Sequence, residues 1–155
     1  YRMLFGKGAT KPSLTVLAAY NRNSFVIDKN MSPVAIDVPN TEYTWVDPGV
    51  RFRMGVTQEA AVHAEAHFLL VLDTGEMQEL EQYGAAKVTG LDADVGIEYW
   101  LSPRYLLRAG ARYTALGYDY QGNGALTDRN GDNEVDVGGA LDAYLGGYVT
   151  VGAGF

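Results

Sequence analysis

Eight charged side chains recur at alternate positions along separate stretches of this chain: Arg51 and Arg53, Glu65, Asp92 with Asp94 and Glu98, and Arg108 with Arg112. Residues two apart on an extended segment share one face, so each group presents its charge to the same side. The Ser102-Pro103-Arg104 triplet reads as a tight turn. Folding back there brings Glu98 near Arg108 and Asp94 near Arg112. Opposite charges paired across strands contribute about 0.2–1 kcal/mol in ordinary exposure. In a narrow interior they are screened less and cost more to desolvate. Arg51, Arg53 and Glu65 extend the same set. The chemistry open to it is ion selection or gating along a polar passage, or electrostatic filling of a small interior.

Two other clusters carry ligating atoms. His63-x-Glu65-x-His67 sets two imidazoles and a carboxylate on one strand face, residue types that bind zinc. Their spacing, roughly 6–7 Å between successive side chains, is too long for all three to share one ion comfortably; the other reading is a polar wall. Asp128, Asn130, Asp132, Glu134 and Asp136 place oxygen donors at the odd positions of a stretch resembling a calcium loop. The pattern departs where Asn133 occupies the expected glycine position and Gly139 the closing carboxylate position. A weak calcium site and a solvated acidic loop are the two readings; no other cofactor is implied. Both histidines fall mid-segment without an adjacent serine, and the chain has no cysteine and no Gly-x-Ser-x-Gly. We identify no catalytic residue and expect no enzymatic activity.

The elements that must position these groups alternate over long stretches. Residues 1–6 end a strand. Further strands are expected over 14–27, 43–56, 61–72, 88–101 and 105–120, with a last one closing the chain after a polar loop over 121–142. In 88–101, Leu91, Ala93, Val95, Ile97 and Tyr99 alternate with Asp92, Asp94, Gly96 and Glu98. Long loops follow Ile27, Leu72 and Tyr120, and short turns follow Gly6, Val56 and Leu101; the Glu-rich part of the second long loop suits a helical turn. The apolar face is rich in Ala, Val and Leu with aromatics near its ends, whereas the opposite face mixes Gly, Thr, Asp and Arg. That arrangement suits a crowded polar interior. A water-soluble barrel or sandwich would place the apolar face inside.

Composition narrows the class. The chain has 155 residues, enough for one domain, and is 47% hydrophobic. Its longest apolar run is Phe68 to Leu72, far short of the roughly 20 residues of a membrane-spanning helix. Only a closed barrel otherwise satisfies backbone polar groups in lipid. Leu91 to Tyr99 extends roughly 30 Å, enough when tilted to cover an apolar band about 25 Å tall. The net charge of −7 argues against nucleic acid as a partner.

The last segment sharpens this. Ala143, Leu145, Val149, Val151, Ala153 and Phe155 point one way, and Tyr144, Tyr148 and Thr150 the other, with Phe155 the last residue of the sequence. A strand of this kind, with Tyr148, Val151, Ala153 and Phe155 as its signal, resembles the C-terminal strand of bacterial outer-membrane β-barrel proteins, the porin-like and small-barrel family. Thr150 stands where that family usually has glycine, and Ala153 is a small occupant of its penultimate apolar site. The resemblance implies an all-β fold, a transmembrane antiparallel up-and-down β-barrel, as a single domain over 1–155 in the outer membrane of a Gram-negative bacterium. It implies outer-membrane lipid and, through the C-terminal strand, the barrel-assembly machinery as partners. Six full strands and a leading remnant do not close a barrel, so the chain reads as a C-terminal portion, incomplete at its N-terminus, with further strands or another chain completing it. The expected function is a passive or gated pore with a charged lumen. The alternative is a structural barrel whose external loops bind a protein partner.

Overall fold

Alternation becomes strand wherever the sequence carries it. The computed structural model describes residues 1–5, 10–26, 40–132 and 134–153. Over them the chain forms one antiparallel sheet of seven strands: β1 (Arg2–Leu4), β2 (Ser13–Phe25), β3 (Thr41–Gly55), β4 (Ala60–Asp73), β5 (Ala86–Ser102), β6 (Tyr105–Tyr120) and β7 (Gly139–Ala153). Strands adjacent in sequence are adjacent in the sheet, the up-and-down order that local connections favour. The sheet curls into a half-barrel, bringing Tyr43 of β3 within 3.2 Å of Asp142 on β7 across its concave side. The six full strands and the leading remnant expected from the sequence are present. β7 starts earlier than expected, at Gly139, because residues 139–142 continue the ladder with β6. The loop expected after Ile27 lies outside the described residues, as does Phe155.

Short turns fix the register. At one end, Thr57 Oγ1 accepts hydrogen bonds from the amides of Glu59 (3.1 Å) and Ala60 (2.9 Å) between β3 and β4. Ser102 Oγ accepts one from the Arg104 amide (3.3 Å) between β5 and β6. From that turn the β5–β6 pairing runs back to Ala86 opposite Tyr120. At the other end the connections are long, and the described parts of the second and third pack against each other. The Glu-rich stretch forms a short 3₁₀ helix at Gly75–Gln78. Ala125 and Leu126 donate to the carbonyls of Leu80 and Gln82 (2.8 and 2.9 Å). Thr127 is fully buried, its hydroxyl bonded to the backbone of Gly124.

The two faces of the sheet differ as the alternation requires, and the apolar one is outside. On the convex face Val95 and Ile97 are 58% exposed and Val149 72%, whereas Asp92, Glu98 and His63 on the concave face are each 4% exposed. Phe52, Tyr99 and Tyr105 stand on the convex face at the short-turn end, with Tyr20 and Tyr113 farther along.

One expectation needs correcting. The concave face is not polar throughout: toward the long loops it becomes an apolar and aromatic cluster of Leu69, Val88, Leu116, Tyr118 and Tyr120. Tyr83, from the loop, stacks on Tyr120 at 5.2 Å between ring centres. Burying each of these large side chains contributes up to about 1.5–3 kcal/mol. This cluster is the described residues' main hydrophobic core, and it holds the long-loop end of the curled sheet together.

Candidate functional site

Register assembles the charges in rows across the concave face. One row runs Arg51, Glu65, Asp94, Arg112 on β3 to β6, each directly opposite the next. Another sets Glu98 opposite Arg108. Both pairings across the β5–β6 hairpin are those the turn at Ser102–Arg104 predicts.

Curvature then gathers these rows around two carboxylates. Glu98 accepts from Arg51 Nη2 (2.7 Å), Arg53 Nε (2.6 Å) and Arg108 Nη2 (2.8 Å). Three guanidiniums from β3 and β6 thus converge on one side chain of β5. Arg51 also lies 3.5 Å from Glu65. Asp92 is the second centre: Arg112 Nε lies 3.0 and 2.8 Å from its two oxygens, and Thr114 donates to one of them. All eight charged residues singled out in the sequence therefore belong to concave-face clusters.

One pairing differs from expectation. Arg112 stands opposite Asp94 in the ladder but bonds to Asp92, two residues along β5. The reason lies in small residues beside Asp94. Gly96 and Gly110 leave room for His63 and the Tyr148 ring: a Cβ on Gly96 would lie 2.7 Å from the His63 ring, and one on Gly110 2.7 Å from the Tyr148 hydroxyl. His63 Nε2 and Tyr148 Oη fill that space and lie 2.8 and 2.9 Å from Asp94 Oδ1, so the long arginine reaches past to Asp92. Gly96→Ala should break this arrangement, because its Cβ would also meet the Ala109 carbonyl at 2.5 Å. A loss of about 1–3 kcal/mol is expected for such overpacking, read as a lower urea midpoint.

The other sequence candidates fall as follows. His63 and His67 flank Glu65 on the concave face of β4, but His63 turns to Asp94 while His67 Nε2 bonds to Glu65 (2.7 Å). In the acidic loop, Asp128, Asn130 and Asp132 accept from the amides of Gly131 (2.8 Å), Asp132 (3.0 Å) and Glu134 (2.8 Å). Asp136 accepts from the Arg129 amide (2.8 Å). These bonds tie the acidic side chains to the loop's own backbone. Among the described residues no group of three or more His, Asp or Glu side chains is gathered so as to hold a metal. Of the terminal-strand signal, Val151 and Ala153 are exposed on the convex face, and Tyr148 lies on the concave face.

Sequence reasoning passed over Tyr43, Trp45, Thr114 and the hydroxyl of Tyr148. Their signal was the same period of two: Tyr43, Trp45 and Asp47 stand in step with Arg51 and Arg53. Tyr43 and Tyr118 share a short hydroxyl–hydroxyl contact, and Tyr43 donates to Asp142 (3.2 Å). Comparison of the chain with protein-family models, with curated proteins and with solved structures gives no match.

Proposed function

We propose that this chain forms the wall of a bacterial outer-membrane β-barrel, a passive or gated pore with a charged lumen. The observation that carries the reading is the inversion of the two faces. A sheet in water buries its apolar side; here Val95, Ile97 and Val149 stand exposed while Asp92 and Glu98 are enclosed. Such a convex face gains from contact with hydrocarbon, and the hydrogen-bonded strands leave few backbone groups unsatisfied there. Strands of 13 to 17 residues exceed the roughly 9–11 needed to cross a bilayer. β1 and β7 run in the same direction, because each strand reverses its neighbour. Antiparallel closure therefore takes an odd number of further strands between those edges, giving the even total usual for such barrels.

Single-channel conductance of the full-length protein, its barrel closed, refolded into a planar bilayer tests the reading. Steady ion-selective steps are expected, and Arg108→Ala with Arg112→Ala should shift selectivity toward cations by removing two positive charges from the lumen. A folded barrel without conductance would remove the pore reading. It would favour a structural barrel anchoring external loops, which the aromatic cluster and the interlocked loops at the long-loop end support.

A further inference from the structure

Among the described residues most charges on the concave face have a counter-charge in bonding contact; Arg2, which bonds to Ser13, Asp142, which accepts from tyrosine hydroxyls, and Asp47 do not. Arg108, Arg51 and Arg53 are held by Glu98 and Arg112 by Asp92, while Asp94 is hydrogen-bonded by His63 and Tyr148. Among the described residues Asp47 has no arginine or lysine partner. Its Oδ2 accepts from Asn21 (2.9 Å), and the nearest basic atom is His67 Nδ1 at 3.9 Å. Its Oδ1 is buried without a hydrogen-bond partner, and so, two residues away on the same face, is the indole nitrogen of Trp45. A buried carboxylate oxygen without a donor is costly.

Both residues line one cavity. It has a volume of about 310 Å³, with Tyr43, Trp45, Leu69 and Tyr144 on its apolar side and Asp47 and Asp92 among its polar walls. It lies beside a larger cavity of about 610 Å³ that shares Asp47, Asp92 and Arg112. The smaller volume is at the lower end of those that take small organic ligands. Together the two cavities are lined by four carboxylates (Asp47, Glu65, Asp92, Asp94) against two guanidiniums (Arg108, Arg112), a surplus of negative charge.

We propose that this cavity binds an organic cation with an aromatic or apolar body, its charge on Asp47 and its body against Trp45 and Tyr144. The inference deepens the lumen reading and rests on it. Each part of the ligand answers an observation. The positive charge supplies the counter-ion that Asp47 lacks. The apolar body matches the aromatic wall, whose ring faces also attract a cation. An anion would meet the negative surplus, and a neutral polar solute would leave Asp47 without its counter-charge.

The test uses the full chain folded in a nonionic maltoside detergent, which brings no cation of its own. The chain has two tryptophans, so Trp100→Phe leaves Trp45 as the sole indole reporter. Titration with benzyltrimethylammonium should give a saturable change in Trp45 fluorescence, with affinity at least tenfold above that for benzyl alcohol. Asp47→Asn should remove most of that preference. No saturable response to the cation, or equal affinity for the neutral alcohol, would overturn the proposal. That comparison needs no Asp47 variant, so a folding defect in Asp47→Asn leaves it intact. Binding is read without a bilayer, so a barrel that binds the cation yet carries no current separates failure of the pore reading from failure of the site.

Discussion

Val95→Arg should destabilise the proposed barrel by about 2–4 kcal/mol in phospholipid vesicles if its convex face meets lipid, the cost of an arginine on a lipid face near the bilayer midplane. Val95 is suited to the test. It stands in the middle of β5, 58% exposed on the convex face, opposite Ala64 on one side and Ala111 on the other. Nothing in its neighbourhood offers the new guanidinium a carboxylate, because the acidic residues of β5 face the concave side. Were the convex face bathed in water, the substitution would fall within about 0.5 kcal/mol of neutral, as surface changes usually do. Urea titration of folding in vesicles separates the two values. A loss below about 1 kcal/mol would sink the membrane reading, whatever the sheet's curvature. Asp or Lys in place of Phe52, at the short-turn end, should cost less, since the penalty falls toward the interface.

The second large effect is expected at Glu98. Glu98→Ala leaves three guanidiniums, on Arg51, Arg53 and Arg108, around an empty position on the concave face. Arg51 retains Glu65 at 3.5 Å, but neither Arg53 nor Arg108 has another carboxylate in bonding distance among the described residues. Breaking a buried charge pair from one side costs about 3–5 kcal/mol. The lower end is expected here, since the Arg108 side chain is 32% exposed and water screens it in part. The signature of the mechanism is relief rather than loss alone. Adding Arg53→Met to Glu98→Ala should recover part of the stability, because one unpaired cation is removed with its partner. If Glu98→Ala cost less than about 1 kcal/mol in vesicles, the cluster would be behaving as surface ion pairs do, and the lumen at that depth would be wide and wet. The same variant should turn a conducting barrel toward anions.

These expectations draw differently on sequence and structure. The period of two along Leu91 to Tyr99 determines by itself that β5 is a strand and that Asp92, Asp94 and Glu98 share a face, because successive side chains of an extended chain point opposite ways. The turn at Ser102–Arg104 likewise determines that Glu98 meets Arg108, since a short hairpin fixes the pairing of everything above it. Local pattern and local turn suffice for strand order, for the seven elements and for which side chains lie together on each face.

Sequence does not determine what happens across the curled interior. Glu98 collects arginines from β3 as well as from its hairpin partner only because the sheet bends far enough to bring β3 over β5. Arg112 takes Asp92 instead of the facing Asp94 because Gly96 and Gly110 admit His63 and Tyr148 from other strands. The aromatic cluster around Leu116 and Tyr120 closes the long-loop end because two loops, distant in sequence, dock on each other. That Asp47, beside Trp45, has no arginine or lysine within reach among the described residues emerges only from the folded arrangement. Each of these depends on curvature and on the distances between non-adjacent strands. A period of two encodes which face a side chain takes, but not how sharply the sheet bends or which of several reachable partners it finds there.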